Sequence, residues 1–113
     1  MEPEYRYTAR VLRWVDGDTV DLRVDVGFFL RLEDRFRLYG IDTPERGQPG
    51  YKEATAMADT LAPADTVVLI RTYKPYRDKY GRWLAEVFVG DTSVNEQLLI
   101  QGMAKAYDGG KKT

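Results

Sequence analysis

The sequence predicts a mainly β fold with helices (α+β), in which five strands close into a small barrel and two or so short helices are attached. Segments of alternating apolar and polar residues recur along the chain, which is typical of strands with one buried face. Only two segments have helical spacing, one after the third strand and one after the fifth. Hydrophobic residues make up 43% and charged residues 31% of 113 residues, the balance of one globular domain.

The first three predicted strands follow one another directly. Residues 7–15 have strand character, and residues 19–26 alternate cleanly between apolar and other positions. The Asp16-Gly17 pair between them is a hairpin signal. Alternation returns in residues 30–38, where arginines and a glutamate occupy the face opposite the apolar residues.

A loop and a helix separate the third strand from the fourth. Residues 40–50 are rich in glycine and proline, so we expect a loop there. The apolar residues of Tyr51–Leu61 recur at helical spacing, and Pro63 lies just past the predicted end. We expect the fourth strand in residues 66–72 and a polar, aromatic loop in residues 74–81.

The last part of the chain predicts a fifth strand and a second helix. Trp83–Val89 alternates, and Ser93 with Glu96 has the form of a capping box that opens a short helix closed by Gly102. Three contiguous strands, a helix, two strands and a helix are the order of a five-stranded OB-type barrel. A ferredoxin-like sandwich would need a helix after its first strand, and the sequence shows none there.

Composition restricts the chemistry that the chain can perform. It has neither cysteine nor histidine, which excludes disulfides, thiolate metal sites and imidazole catalysis, and leaves carboxylates for metal binding or acid–base work. The net charge is -1, so any basic surface for a nucleic acid must be local. Residues 1–5 are polar and acidic, without the apolar run of a signal peptide, so a cytoplasmic location is the expectation.

Candidate functional residues are concentrated in three short islands of sequence. These are residues 16–19, residues 37–45 and residues 78–82. Each island alone also fits a simpler interpretation, as a turn, a strand exit or a solvated basic loop, because short motifs recur by chance. Their interpretation therefore depends on whether the three act together.

The second island has the chemistry of a site for a hard cation. Asp42 and Glu45 come where the strand breaks into a loop, and Pro44 restricts the backbone of Thr43. Carboxylates and a rigid carbonyl are the oxygen ligands that Ca²⁺ or Mg²⁺ accepts, and Asp18 of the first island could face the same place. The spacing of an EF-hand loop is absent.

The third island has the chemistry of a phosphate contact. Arg82 follows Gly81 at the start of the fifth strand, and a guanidinium matches two phosphate oxygens better than an ammonium does. Lys79 could add a point charge, and Tyr80 could add a ring for a base or a sugar.

In this order, the three islands resemble the staphylococcal nuclease (thermonuclease) family. The resemblance covers about residues 10–107 and includes Val94-Asn95-Glu96 and residues 101–105. It implies a single domain over residues 1–113 and a Ca²⁺-dependent nuclease acting on DNA, RNA or both, with Mg²⁺ or another divalent cation less favoured. Residues 25–34 form a longer hairpin than the secreted enzyme of that family has.

The resemblance also implies a role for each matched residue. Asp18 and Asp42 look like the metal-ligating carboxylates, and Thr43 looks like the residue that adds its backbone carbonyl. Similarity to the family implies three catalytic residues, namely Arg37 and Arg82 as the phosphate-binding arginines and Glu45 as the residue that orients or deprotonates the attacking water. The residues that match the family's contacts to a nucleotide are Lys79, Tyr80 and Tyr107.

Two alternatives from another functional class remain open. Nuclease-like OB domains that lack the catalytic residues bind nucleic acid or a protein partner. A plain single-strand binder would use aromatic platforms, for which the sequence offers Tyr39, Tyr73, Tyr76 and Tyr80. We favour the nuclease because several residue types that catalysis needs are all present. The expected partner is therefore nucleic acid, without a membrane or an obligate protein partner.

Overall fold

The computed structural model describes residues 5–77 and 80–107, with residues 74–77 as backbone alone. The elements in chain order are β1 (Arg6–Asp16), β2 (Thr19–Gly27), β3 (Leu30–Leu38), β4 (Ile41–Asp42), α1 (Tyr51–Leu61), β5 (Val67–Arg77), β6 (Trp83–Val89), β7 (Thr92–Ser93), α2 (Val94–Ile100) and β8 (Lys105–Ala106). No helix in these parts of the chain is long and apolar enough to cross a membrane.

Five long strands form a closed barrel, which confirms the predicted OB-type α+β fold. The strand order is β3-β2-β1-β5-β6, and all of these neighbours are antiparallel. Closure comes from a parallel pairing of Phe36 to Leu38 on β3 with Trp83 to Ala85 on β6. Because the pairing lies at the end of β3 and at the beginning of β6, it places Arg37 next to the start of β6.

The barrel interior is filled by the apolar residues that alternate along the strands. Among the largest side chains that are less than 2% exposed are Leu22, Leu38, Ile70, Val87 and Leu98. Helix α1 packs Ala54 and Ala58 against the barrel. The indole nitrogen of Trp14 on β1 donates a 2.8 Å hydrogen bond to the carbonyl of Ala62, so β1 also holds the end of this helix.

The structure differs from the sequence prediction in the two segments that were predicted as loops. Strand β5 continues to Arg77, with a shift in its pairing to β6 between Thr72 and Arg77, so the first half of the loop predicted at residues 74–81 is strand. The loop predicted at residues 40–50 begins with β4, which pairs with β8. Both additions depend on a partner strand rather than on alternation, which explains why the sequence did not indicate them.

The β2–β3 hairpin ends in an unusual turn. Gly27 pairs with Leu30, which leaves Phe28 and Phe29 as a two-residue loop with φ angles of 56° and 62°. Such a loop with both φ angles positive normally contains asparagine and glycine. The two rings are 93% and 99% exposed, so they add no burial that offsets the backbone strain.

Candidate active site

The turn between β1 and β2 places Asp18 against the end of β3. The turn residues are Gly17 and Asp18 rather than the predicted Asp16-Gly17 pair, since Asp16 pairs with Thr19. A Cβ on Gly17 would lie 2.9 Å from Cβ of Ala54 and 3.0 Å from Cγ2 of Thr43. Only glycine therefore lets the turn pack against α1 and Thr43, and this packing buries Asp18.

The Asp18 carboxylate is the centre of the site. Its Oδ1 accepts a 3.0 Å hydrogen bond from the hydroxyl of Thr19, and its Oδ2 accepts one of 3.0 Å from the backbone N–H of Thr43. Nη1 of Arg37 also lies 3.0 Å from Oδ2. These contacts join β2, β3 and the loop after β4 through one side chain.

Arg37 lies between the two aspartates that the sequence predicts as metal ligands. Its Nη2 donates a 3.2 Å hydrogen bond to Oδ1 of Asp42, while Nη1 faces Asp18. Only 8% of Arg37 is exposed, and its Cζ lies 5.1 Å from the ring centre of Tyr107. Tyr107 reaches this place because its N–H donates to the carbonyl of Gly40, next to the β4–β8 pairing.

Arg82 approaches the same carboxylate from the start of β6. Its Nη1 donates a 3.2 Å hydrogen bond to Oγ1 of Thr19, which in turn donates to Asp18. The guanidinium carbon of Arg82 lies 5.3 Å from the ring centre of Tyr80. Each predicted phosphate-binding arginine therefore stacks on one of the predicted nucleotide-binding tyrosines.

Glu45 lies on the exposed loop after β4. Its N–H donates to Oε1 of Gln48 at 2.9 Å, and its carbonyl accepts from the N–H of Gln48 at 2.9 Å, so the loop has a defined shape. Within the described parts of the chain, no three acidic side chains form a group that could hold a metal ion. Glu45 therefore does not complete a three-carboxylate site with Asp18 and Asp42.

Asp16 is a member of this cluster that the sequence interpretation treated only as a turn residue. Burial and the neighbouring Asp18 carboxyl raise the pKa of Asp16 to about 6. Burial also acts to raise the pKa of Asp18, but the hydrogen bond with Asp16, the charge of Arg37 and the Thr43 N–H together lower it. Two aspartates on either side of a single turn glycine, Asp16-Gly17-Asp18, would have been the sequence signal.

Three buried polar side-chain atoms without a hydrogen-bond partner were found among the described residues, and all three lie around Asp18. They are Oδ1 of Asp16, Nη1 of Arg37 and Oγ1 of Thr43. The Arg37 atom is close to Asp18, but its N–H bonds do not point at that oxygen, so the contact is an ion pair without a directed hydrogen bond. Buried polar atoms rarely lack partners, so their concentration here is typical of a ligand site.

Comparison with known proteins places this arrangement in a family. A family model described as staphylococcal nuclease homologue matches residues 35–113, which include the end of β3, the loop after β4 and Arg82. The chain belongs to the staphylococcal nuclease homologue family. This confirms the resemblance that the three islands of sequence indicated.

Individual relatives of this staphylococcal nuclease homologue match most of the chain. A thermonuclease of Staphylococcus intermedius is 34% identical over 85% of the chain, and an uncharacterized endonuclease of Escherichia coli O157:H7 is 36% identical over 88%. An uncharacterized protein of Methanocaldococcus jannaschii is 30% identical over 89%. The chain spans 57% to 61% of the length of these three relatives.

The fold brings together most of the residues that the sequence predicted for the site of this staphylococcal nuclease homologue. Around Asp18 it assembles Thr43, Arg37, Asp42 and Arg82, while Glu45 lies on the adjacent loop. Lys79 lies outside the described residues, as does the side chain of Tyr76. The rings of Tyr39 and Tyr73 stack on each other with their centres 4.0 Å apart, so these two predicted platforms cover one another.

Proposed function

We propose that the chain is a metal-dependent nuclease that hydrolyses phosphodiester bonds of DNA, RNA or both. The observation that carries this proposal is the convergence of Arg37 and Arg82 on one buried aspartate, around which lie the three buried polar atoms that lack a partner among the described residues. Membership of the staphylococcal nuclease homologue family and relatives named thermonuclease and endonuclease support the same reaction.

The two arginines fit the charge that develops during phosphodiester hydrolysis. Attack by water adds negative charge to the phosphoryl oxygens, and preorganised cationic donors stabilise that charge most where water is excluded. Arg37 is buried, and its Nη1 has no directed acceptor, so this N–H can donate to a phosphate oxygen. Arg82 is linked to Asp18 through the hydroxyl of Thr19, and its planar guanidinium stacks over Tyr80.

The oxygen atoms of the site fit a hard divalent cation, with Ca²⁺ as our first choice. Asp18, Asp42 and the carbonyl of Thr43 would hold it, since all three offer oxygen ligands. The cation would supply positive charge next to the phosphate that is cleaved. Without it, Arg37 pairs with both Asp18 and Asp42 through its two terminal nitrogens, which sets one positive charge against two carboxylates.

Glu45 is our candidate for the residue that orients or deprotonates the attacking water. Its exposed position lets it exchange protons with solvent, and the two hydrogen bonds with Gln48 hold its backbone in place. A carboxylate within hydrogen-bond distance of the water can align the nucleophile. Histidine is not required for this chemistry, in agreement with a chain that has none.

The proposal is tested by digesting labelled single-stranded DNA and RNA with the purified protein in Ca²⁺, in Mg²⁺ and in chelator. We expect cleavage with Ca²⁺ and its loss in chelator, because Asp18 and Asp42 offer only oxygen ligands. Asp42→Asn should lower the cleavage rate strongly at limiting Ca²⁺ and less strongly at saturating Ca²⁺. If highly purified protein binds both polymers but cleaves neither at millimolar Ca²⁺, the chain is a nuclease-like binding domain instead.

Arginine variants separate catalysis from general attraction of phosphate. Arg82→Lys should lower turnover by about 10²-fold, because the ammonium keeps the charge but loses the planar fork. Arg71→Lys is the matched control, since Arg71 also stacks on a tyrosine, with its Cζ 5.3 Å from the ring centre of Tyr73, but on a strand that does not contribute to the site. An Arg82→Lys variant that keeps wild-type turnover would show that positive charge alone is needed, and equal losses in both variants would show that the effect is not specific to the site.

A further inference from the structure

The outer face of β1, β2 and β3 carries rows of charged residues that begin beside Arg37. In the first row, Asp21 lies between Arg13 on β1 and Arg35 on β3. Arg35 binds both oxygens of Asp21, at 2.8 Å and 3.2 Å, and Nε of Arg13 lies 3.3 Å from Oδ2. Two arginines therefore share one carboxylate, and the row keeps one positive charge in excess.

The second row has the same excess and contains a like-charge pair. Arg10 on β1 lies directly opposite Arg23 on β2, which in turn lies opposite Glu33 on β3. Arg23 binds Glu33 at 2.6 Å, whereas Arg10 donates to the backbone carbonyl of Asp65 at 2.8 Å. Like charges on directly opposite residues destabilise a sheet, so the fold gains nothing from this pair.

These rows form a positive surface on a chain whose net charge is -1. All four arginines in them belong to exposed residues, so the surface is open rather than a pocket for a small ion. Alternate residues of a strand are about 6.6 Å apart, so the rows repeat at that interval along β2. A repeating row of guanidinium groups on an open surface is complementary to a polymer of phosphates.

We propose that this surface binds the phosphate backbone of a nucleic-acid strand outside the candidate cleavage site. The proposal rests on the proposed function for its substrate class and adds a second contact region to it. Arg35 is two residues before Arg37 on the same strand and the same face, so a strand held at Arg37 continues onto the surface. An OB fold typically covers about 4–16 nucleotides, which requires contacts well beyond one phosphate.

The test measures binding of labelled single-stranded DNA in chelator, over a series of salt concentrations, for the double variant Arg10→Gln/Arg23→Gln. Each lost phosphate contact lowers the slope of log K against log salt by about 0.7 for single strands, so we expect a fall of about 1.4. The loss of affinity should be greater for a strand of 16 nucleotides than for one of 4. The matched control is Lys52→Gln, an exposed charge on α1 away from this surface.

Arg10→Lys/Arg23→Lys provides a second check, because lysines keep the charge and should keep the salt slope. A slope in Arg10→Gln/Arg23→Gln equal to that of the wild type and of Lys52→Gln would overturn the proposal. The double variant relieves the like-charge pair but also loses the exposed Arg23–Glu33 ion pair and the Arg10–Asp65 hydrogen bond, so the melting temperature should change little, and a cooperative transition shows that the variant is folded. Because no cation is present, the result is independent of cleavage: a protein that never cleaves can still confirm this surface, and a nuclease can still lack it.

Discussion

At the scale of single residues, one arginine connects the two aspartates proposed as cation ligands. Arg37 lies 3.0 Å from Oδ2 of Asp18 and 3.2 Å from Oδ1 of Asp42. A cation held by these carboxylates would compete with the guanidinium for their negative charge. The donors of Arg37 would then be available to a phosphate, so metal binding and phosphate binding are expected to support each other.

Asp21 gives a prediction on pH at the residue scale. Hydrogen bonds from Arg35, and the charges of Arg35 and Arg13, outweigh burial and lower the pKa of Asp21. Because its folded pKa is below the unfolded value of about 3.9, Asp21 contributes stability that is complete above that pH and disappears as the pH falls through the folded pKa. Asp21→Asn should therefore cost about 1 kcal/mol at pH 7 and progressively less below pH 4.

Urea unfolding of the wild type and Asp21→Asn between pH 7 and pH 3 measures this difference. A cost that stays constant over the whole range would mean that the substitution disturbs packing rather than an ion pair. The same experiment with Asp25→Asn is the control, because Asp25 lies on the same strand and face and is exposed.

At the scale of elements, the β2–β3 hairpin combines a regular ladder with a strained end. The strands pair without interruption from Thr19 and Arg37 to Asp25 and Arg31, and the shift in register comes only beside the turn. The strain is therefore confined to the two phenylalanines and does not reach the part of β3 that supports Arg37. Changing the turn should alter stability and leave the site unchanged.

Replacing Phe28 and Phe29 with asparagine and glycine should raise the free energy of unfolding by about 1–2 kcal/mol. Asparagine and glycine tolerate the positive φ angles of this turn, whereas a left-handed conformation costs other residues about 1–2 kcal/mol each. Denaturant unfolding at neutral pH gives the value. A lower stability in the variant would show that the rings contribute packing that their exposure does not indicate.

At the scale of the whole molecule, the closure of the barrel depends on a buried polar side chain of α2. Oδ1 of Asn95 accepts from the N–H of Val87, and its Nδ2 donates to the carbonyls of Tyr39 and Ala85. These groups belong to β6 and to the residue after β3, which are the two ends that meet in the parallel pairing. Asn95 thus connects barrel closure to the segment that leads to Asp42.

Asn95→Ala should lower the free energy of unfolding by about 2–4 kcal/mol, because it leaves the buried N–H of Val87 and the part-buried carbonyl of Tyr39 without this partner. Ser93→Ala is the matched control in the same helix. Ser93 is the N-cap of α2, and its side chain accepts a hydrogen bond from the N–H of Glu96, which contributes about 1 kcal/mol to stability. Thermal and urea unfolding of both variants test whether Asn95→Ala lowers stability more than Ser93→Ala does. A smaller loss of stability for Asn95→Ala would contradict the prediction.

The sequence alone determined the parts of this protein that depend on local pattern. Three predicted elements have the bounds found in the structure, namely Leu30–Leu38, Tyr51–Leu61 and Trp83–Val89. Alternation and helical spacing arise within one segment, so they can be read without knowing its neighbours. The order of these segments was also sufficient to predict the five-stranded barrel, and the three islands were sufficient to indicate the family.

Only the tertiary structure decided which of the candidate residues meet. The two-residue strands β4 and β8 have no periodicity of their own, yet their pairing brings Tyr107 to Arg37 across about 70 residues of chain. The turn that carries Asp16 and Asp18 is buried because Gly17 packs against Thr43 and α1, and this burial is the largest cause of the raised pKa of Asp16. Such contacts join segments that are distant in sequence, and no pattern within either segment contains them.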